Sequence, residues 1–93
     1  MNLNDIQPFE KLVYVKEWWK NSQATMFNLS NEKFQVNFVD GSQTVFDLST
    51  KSISIKSKDG GINVFDKIQD ALTSQNSELK KKSAYTKEIL ISI

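Results

Sequence analysis

Residues 34 to 41 read Phe-Gln-Val-Asn-Phe-Val-Asp-Gly, and they indicate the fold more clearly than any other part of the chain. Phe34, Val36 and Phe38 alternate with polar residues, and successive side chains on a strand point to opposite faces. One face of this strand is therefore apolar and the other is largely polar. The Asp-Gly pair that follows favours a tight hairpin turn, because glycine accepts the positive φ that such turns require.

Similar strand segments lie on both sides of this hairpin, separated by turn-like residues. They are residues 24–29, 43–48, 52–56 and 62–65. Ile53 and Ile55 alternate with polar residues and should face inward, while Lys-Asp-Gly-Gly at 58–61 predicts another glycine-dependent turn. Residues 9–19 have the composition of a strand, although their final residues also fit a helical turn. The middle of the chain is predicted to be an antiparallel meander.

The last part of the chain has helical periodicity. Ser77 is a candidate N-cap, and a shorter helix-compatible segment precedes it around Ala71. The apolar stripe of the long helix comprises Leu79, Thr86, Ile89, Leu90 and Ile93, whereas Lys80, Lys81, Lys82, Lys87 and Glu88 lie mostly elsewhere. The predicted fold class is α+β, an antiparallel β-sheet of five to six strands packed against one C-terminal α-helix.

The chain of 93 residues is the size of one domain. We expect residues 1–8 to form a flexible leader and residues 9–93 to form the domain. The alternating apolar positions predict its core, which comprises Phe34, Val36, Phe38, Ile53, Ile55, Val64 and Leu79.

Composition excludes several classes of function. The chain has no cysteine and no histidine, which removes disulfides, thiol nucleophiles, the commonest general base and the commonest metal ligand. Its net charge of +1 predicts no binding to nucleic acid or to a membrane surface. No apolar run is long enough for a membrane-spanning helix, so a soluble intracellular protein is expected. The carboxylates are scattered over turns, and no catalytic or metal site is predicted.

The order of these elements resembles the polo box, the module that follows the kinase domain in polo-like kinases, over roughly Val15 to Ile93. Phe34 to Gln43 is similar to the family's strand that ends in Phe-Asn-Asp-Gly-Ser, and Ser52 to Gly60 is similar to the next strand and its glycine turn. Within the family, the chain most resembles the third, single polo box of the Sak-type polo-like kinase 4. The segment 40–43 and the helix 79–91 carry that likeness.

The resemblance implies a non-catalytic protein-interaction module of a serine/threonine kinase of the cell cycle, without a cofactor. Its implied partner is a helical or coiled-coil segment of a centriole-assembly scaffold, and its implied location is cytoplasmic, at the centrosome or centriole. Two alternatives stay open: one half of a phosphopeptide-binding polo-box pair, and a homodimerisation module. The family's phosphopeptide cleft uses a histidine and a lysine of its second box, and this chain has no histidine.

Aromatic residues near the surface of the sheet and helix are the candidate partner-binding residues. They are Trp18, Trp19, Phe27, Phe46, Phe65 and Tyr85. Adjacent tryptophans on a strand point to opposite sides, so one can be core while its neighbour anchors a partner. The alternative interpretation is that both tryptophans pack beneath the leader. The lysines at 80–82 are predicted to form a solvated helix face, with phosphate binding as the alternative.

Overall fold

The computed structural model describes residues 13–92. The predicted leader, residues 1–8, lies outside the described residues, as does Ile93. The elements are β1 (Val15–Lys20), β2 (Ala24–Leu29), β3 (Lys33–Phe38), β4 (Gln43–Asp47), β5 (Ile53–Lys56), β6 (Ile62–Phe65), α1 (Ile68–Leu72) and α2 (Ser77–Ser92).

The six strands form one antiparallel sheet in which each strand pairs with its neighbour in the chain. A C-terminal helix, α2, contacts β4 and β5 from one side. This architecture confirms the predicted fold class. The turns also form as predicted, because Gly41 and Gly60 adopt φ values of 93° and 99°.

The face of the sheet under α2, called here the inner face, carries the core. Residues that pair across the strands share a face. One row of the inner face runs through Trp19, Met26, Val36, Thr44, Ile55 and Asn63. Phe34 and Ile53 belong to the next row, and Leu79 and Thr86 are buried side chains of α2, which contacts β4 and β5. Five of the seven predicted core residues are buried, and Phe38 is half-buried against them.

Val64 is the exception, and its prediction as core was wrong. It is 65% exposed on the opposite face, called here the outer face, because Phe65 pairs with the buried Ile53 and takes the inward position. In Ile-Asn-Val-Phe both alternating sets contain apolar residues, so the pattern does not show which set faces the core.

The start of α2 also differs from the prediction. The side chain of Asn76, one residue before the helix, accepts hydrogen bonds from the amides of Glu78 at 3.0 Å and Leu79 at 3.3 Å. Asn76 therefore performs the capping that the sequence analysis assigned to Ser77. The short α1 buries Ala71 and packs against α2.

Candidate protein-binding face

The outer face of the sheet carries a largely apolar stripe with one residue from each strand. The transverse stripe, as it is called below, comprises Trp18, Phe27, Gln35, Val45, Ser54 and Val64. Trp18 is 62% exposed at one end and Val64 is 65% exposed at the other. Phe27 and Val45 are half-buried between them. Within residues 13–92, neither helix covers this face.

A second row runs beside the transverse stripe and is polar and basic. It comprises Lys20, Thr25, Asn37, Gln43, Lys56 and Ile62. The Gln35 amide donates to the Asn37 side-chain oxygen at 2.9 Å, which ties the two rows together at the centre of the sheet. Lys20 and Lys56 are both exposed. An apolar stripe beside a basic row is suited to a protein segment that carries apolar anchors and negative charge.

Two of the six predicted binding residues lie on this outer face, Trp18 and Phe27. The other strand residues point inward. Trp19 packs against the core with its ring centroid 6.4 Å from that of Phe34, and Phe65 also packs against the core. Phe46 is only 6% exposed. The predicted set is therefore not one continuous surface, because strand alternation sends its members to both faces.

Tyr85, the remaining predicted residue, lies on α2 at the inner side of the sheet. Its ring meets Phe38 edge-on with centroids 5.3 Å apart, and its hydroxyl accepts from the Asn21 amide at 2.8 Å. Asn21 in turn accepts from the backbone amides of Gln23 and Ala24 through its side-chain oxygen. Tyr85 thus joins the helix to the β1–β2 turn and is largely occupied by contacts within the chain.

Lys82 is not part of a purely solvated face. Its ammonium lies 2.9 Å from a carboxylate oxygen of Asp40 and 4.1 Å from the centroid of the Phe38 ring. These contacts fix the β3–β4 turn to α2 by an ion pair and a cation–π interaction. The adjacent Lys80 and Lys81 are exposed, as predicted.

Three turn carboxylates are stabilised in their ionised form. The Ser42 hydroxyl, then the Lys82 ammonium and the Ser42 amide, hold the pKa of Asp40 well below its usual range. Hydrogen bonds from the Ser49 hydroxyl and amide lower the pKa of Asp47. The Ser57 hydroxyl and the Gly61 amide do the same for the pKa of Asp59. These aspartates organise turns, which is the role that the sequence predicted for them.

A cavity of about 410 Å³ opens between the β3–β4 turn, the β5–β6 turn and the start of α2. Ile55 and Leu79 form its apolar part, and Lys58, Asp59 and Glu78 are among its charged rim residues. The described part of the chain has no cluster of acidic side chains that could hold a metal ion. None of the helices within residues 13–92 is long and apolar enough to cross a bilayer.

Sequence reasoning missed Val45, Ile62 and Val64 as members of the outer face. Val45 lies on β4 between Thr44 and Phe46. Strand alternation places it on the opposite face from these two neighbours, and this was the signal that could have identified it. Because Phe46 pairs with Phe34 in the core, Val45 must point outward. The same reasoning from Phe65 would have placed Ile62 and Val64.

Comparison with known proteins agrees with this architecture. Residues 21–83 match the family described as "POLO box duplicated region". A relative from maize, "Probable serine/threonine-protein kinase CCRP1", is 43% identical over 42 residues, which is 45% of this chain and 7% of that protein.

Solved structures of the polo-box domain of budding yeast Cdc5 share the fold. The complex with the Dbf4 polo-interacting region matches with a TM-score of 0.67 at 19% identity, over 97% of this chain and 41% of that one. The complex with an Spc72 phosphopeptide matches with a TM-score of 0.53 at 21% identity, over 81% of this chain and 36% of that one. This chain therefore spans well under half of the solved chains that it resembles.

The family match covers more than half of the chain, and the six-stranded sheet with its C-terminal helix is the architecture of the solved relatives. The chain belongs to the polo-box family, whose members are non-catalytic protein-binding modules of polo kinases.

Proposed function

We propose that this chain is one half of a polo-box pair in a polo-like serine/threonine kinase, and that the pair binds a phosphorylated peptide to localise the kinase. The second half packs on the outer face of the sheet. The transverse stripe carries this proposal, because four of its six residues are apolar and two of these, Trp18 and Val64, are more than 60% exposed at its ends. Burial of such a patch against an apolar partner is favourable in proportion to the area removed from water.

Two observations support a second polo box as the partner on the outer face: the description of the matching family and the length of the solved relatives. The matching family is described as a duplicated region, and the solved Cdc5 chains are more than twice as long as the part that this chain covers. A second box of the same fold presents an outer sheet face of its own, and two such faces pack as a sandwich. The Spc72 phosphopeptide complex of Cdc5 supports a phosphorylated ligand for the pair.

The basic row supplies positive charge at the border of this packed face. Lys20 and Lys56 lie on either side of Asn37 and Gln43, which offer further hydrogen-bond donors. In the pair, Trp18 beside Lys20 borders the peptide. A histidine is absent from the chain, so any histidine that contacts the phosphate comes from the second box.

A helical segment of a centriole-assembly scaffold is the second candidate, as in the third polo box of polo-like kinase 4, and it places the kinase at the centrosome. The length of the transverse stripe favours a helical partner. The stripe crosses the five spacings between the six strands, each about 4.8 Å, and is roughly 24 Å long. This is the length of a helix of about 16 residues. Such a helix would lie across the strands with its apolar side on Phe27 and Val45.

The test is a titration of the isotopically labelled 93-residue chain with the second box encoded in the same polypeptide, followed by a phosphothreonine peptide. We expect amide shifts along the transverse stripe on addition of the box, and tighter binding of the phosphorylated than the unphosphorylated peptide afterwards. A polypeptide that encodes no second box, or a stripe that responds only to an amphipathic helical peptide, overturns the pair in favour of the scaffold helix.

The matched variants are Trp18→Ala and Ile91→Ala. Ile91 is 72% exposed on α2, away from the outer face, and serves as the control. Truncation of a tryptophan at the centre of an interface costs about 2 kcal/mol, or roughly thirtyfold in affinity. Trp18 lies at one end of the transverse stripe, so we expect a smaller loss of affinity. Equal affinities of the two variants for the second box would contradict the assignment of the outer face.

A further inference from the structure

Two neighbouring cavities lie at the end of the sheet where the β1–β2, β3–β4 and β5–β6 turns approach α2. The cavity of about 410 Å³ described above lies between the β3–β4 and β5–β6 turns. A second cavity, of about 370 Å³, lies between the β1–β2 and β3–β4 turns. Asp40, Glu78 and Lys82 line both cavities, which therefore meet at the Asp40–Lys82 ion pair. Together they form one groove along the first half of α2, called here the end groove.

Each half of the end groove contains apolar side chains. Ile55 and Leu79 line the first half, which is the more enclosed of the two. Phe38, Val39 and Tyr85 line the second half. Val39 is 77% exposed, and the two aromatic residues are half-buried, so this half presents apolar surface to solvent. Each half can therefore receive one apolar side chain of a ligand.

The sheet sets the spacing between the two apolar sites. Phe38 lies on β3 and Ile55 on β5, two strand spacings away. Ile55 belongs to the row of Val36, and Phe38 lies two residues beyond Val36 along β3. Two spacings of about 4.8 Å and an offset of two residues, each about 3.4 Å, place the sites about 12 Å apart. Residues i and i+4 of an extended peptide are about 13 Å apart and point to the same side.

The boundary between the two halves carries net negative charge. Asp40 and Lys82 neutralise each other there, whereas the Glu78 carboxylate makes no ion pair within residues 13–92. Lys58 lines only the first half and Lys81 only the second, so the other positive charges lie towards the ends of the groove. Residue i+2 of an extended peptide points to the same side as residues i and i+4, and it therefore faces the boundary. A basic side chain at i+2 is complementary to Glu78.

We propose that the end groove binds an extended protein segment that has aliphatic side chains at positions i and i+4 and a lysine or arginine at i+2. The two aliphatic side chains occupy the two halves, the basic side chain pairs with Glu78, and no phosphate is required. The groove lies on the inner side of the sheet, so this segment is distinct from the partner proposed for the outer face. Both can bind at once. The segment is short, and its binding is correspondingly weak.

The test is an amide titration of the 93-residue chain with the acetylated and amidated peptide Thr-Leu-Thr-Lys-Thr-Leu-Thr, whose β-branched residues favour an extended backbone. We expect shifts at residues 38–42, 55–58 and 76–85, and none along the transverse stripe. Replacement of either leucine of the peptide by alanine should weaken binding about fivefold. Movement of the second leucine to i+3 should weaken it as much, because that side chain then points away from the groove.

Variants of the chain test the charge at the boundary. Glu78→Lys should weaken binding of the lysine peptide about threefold and improve binding of a peptide with glutamate at the centre by a similar factor. Glu78→Gln should act in the same direction without placing a positive charge at the start of α2. Glu88→Lys is the matched control for Glu78→Lys, because it makes the same change of charge at an exposed position of α2 away from the groove.

Equal binding of the lysine and glutamate peptides, or equal effects of Glu78→Lys and Glu88→Lys, would overturn the proposal. Undiminished binding of the peptide with leucine at i+3, or an absence of shifts in the end groove at about 1 mM peptide, would do the same. Trp18→Ala should leave this binding unchanged while it weakens binding at the outer face. The two proposals can therefore fail independently of each other.

Discussion

The hydroxyl oxygens of Thr44 and Thr86 lie 2.7 Å apart in the fully buried space between β4 and α2. Thr86 donates its only hydroxyl proton to the carbonyl of Lys82 at 2.9 Å. Thr44 must therefore be the donor to Thr86. This polar link lies between apolar side chains and fixes the position of the helix over the sheet.

The direction of this hydrogen bond predicts unequal effects of two conservative substitutions. Thr86→Val leaves the buried Thr44 donor without its acceptor, at a cost of about 1–3 kcal/mol in the free energy of unfolding. Thr44→Val removes a donor but leaves the Thr86 proton satisfied, so the loss should be smaller. Urea denaturation of both single variants and of the double variant measures these losses. Equal losses, or a double variant less stable than the sum of the singles, would contradict the assignment.

The turn carboxylates predict a loss of stability in acid. The pKa of Asp40 in the folded chain lies below its ordinary value of 3.8, so its stabilising contribution is complete above that pH and disappears as the pH falls further. Asp47 and Asp59, whose pKa values are also lowered, act in the same direction. We expect Asp40→Asn to reduce the dependence of stability on pH below about 4.

Thermal unfolding between pH 2 and pH 7 measures this dependence, with Asp66→Asn as the control. Asp66 is exposed, and its side chain makes no hydrogen bond or ion pair with the other residues of 13–92. The effect at neutral pH should be at most about 1 kcal/mol, because the Asp40 side chain is 39% exposed to screening by solvent. If the Asp66 variant flattened the pH dependence of thermal stability as strongly as the Asp40 variant, the lowered pKa of Asp40 would not be the cause of that dependence.

Phe46 should contribute mainly to the stability of the fold, and Phe27 mainly to partner binding. Phe46 is buried between β3 and β5, and Phe46→Ala should cost about 3–5 kcal/mol of stability. Phe27 is half-buried on the outer face, so Phe27→Ala should cost clearly less while weakening partner binding. Chemical denaturation and a binding titration of both variants separate the two roles. Similar stability losses would indicate that the outer face is as well packed as the core.

Backbone conformation predicts one stabilising substitution. Glu32 adopts a φ of 62° in the β2–β3 turn, a region that costs a residue with a side chain about 1–2 kcal/mol. Glu32→Gly removes this cost but adds flexibility to the unfolded chain, so a net gain below about 1 kcal/mol is expected.

Gly60→Ala is the matching change in the opposite direction. An added Cβ at Gly60 meets nothing within 4 Å, so any destabilisation there reports the backbone conformation alone. Denaturation midpoints of both variants give the comparison. A stabilised Gly60→Ala protein would contradict the argument for both turns.

The sequence predicted strands most reliably where only one alternating set is apolar. Phe34 and Val36, like Ile53 and Ile55, lie between polar neighbours and could only face inward, and both pairs are buried. Val64 and Phe65 compete for the inward position on adjacent residues, and only the pairing with Ile53 decides between them.

The candidate site was harder to predict for the same reason. An aromatic residue on a strand indicates burial or binding equally well until its face is known, so Phe46 and Trp18 were grouped together although they lie on opposite faces. The partners of Lys82 could not be predicted from the helix alone. Asp40 and Phe38 lie more than 40 positions earlier in the chain and reach Lys82 only through the tertiary fold.

The strand order β1-β2-β3-β4-β5-β6 has a consequence for how the chain folds. Each strand finds its partner a few residues away, so the entropy lost in closing each loop is small, and chains with such local contacts reach the folded state quickly. A ribosome-bound chain can add strands to the sheet in the order in which they emerge. Within residues 13–92, α2 is the element that packs back across strands formed much earlier in the chain, so we expect its closure over β4 and β5 to be the last step of folding.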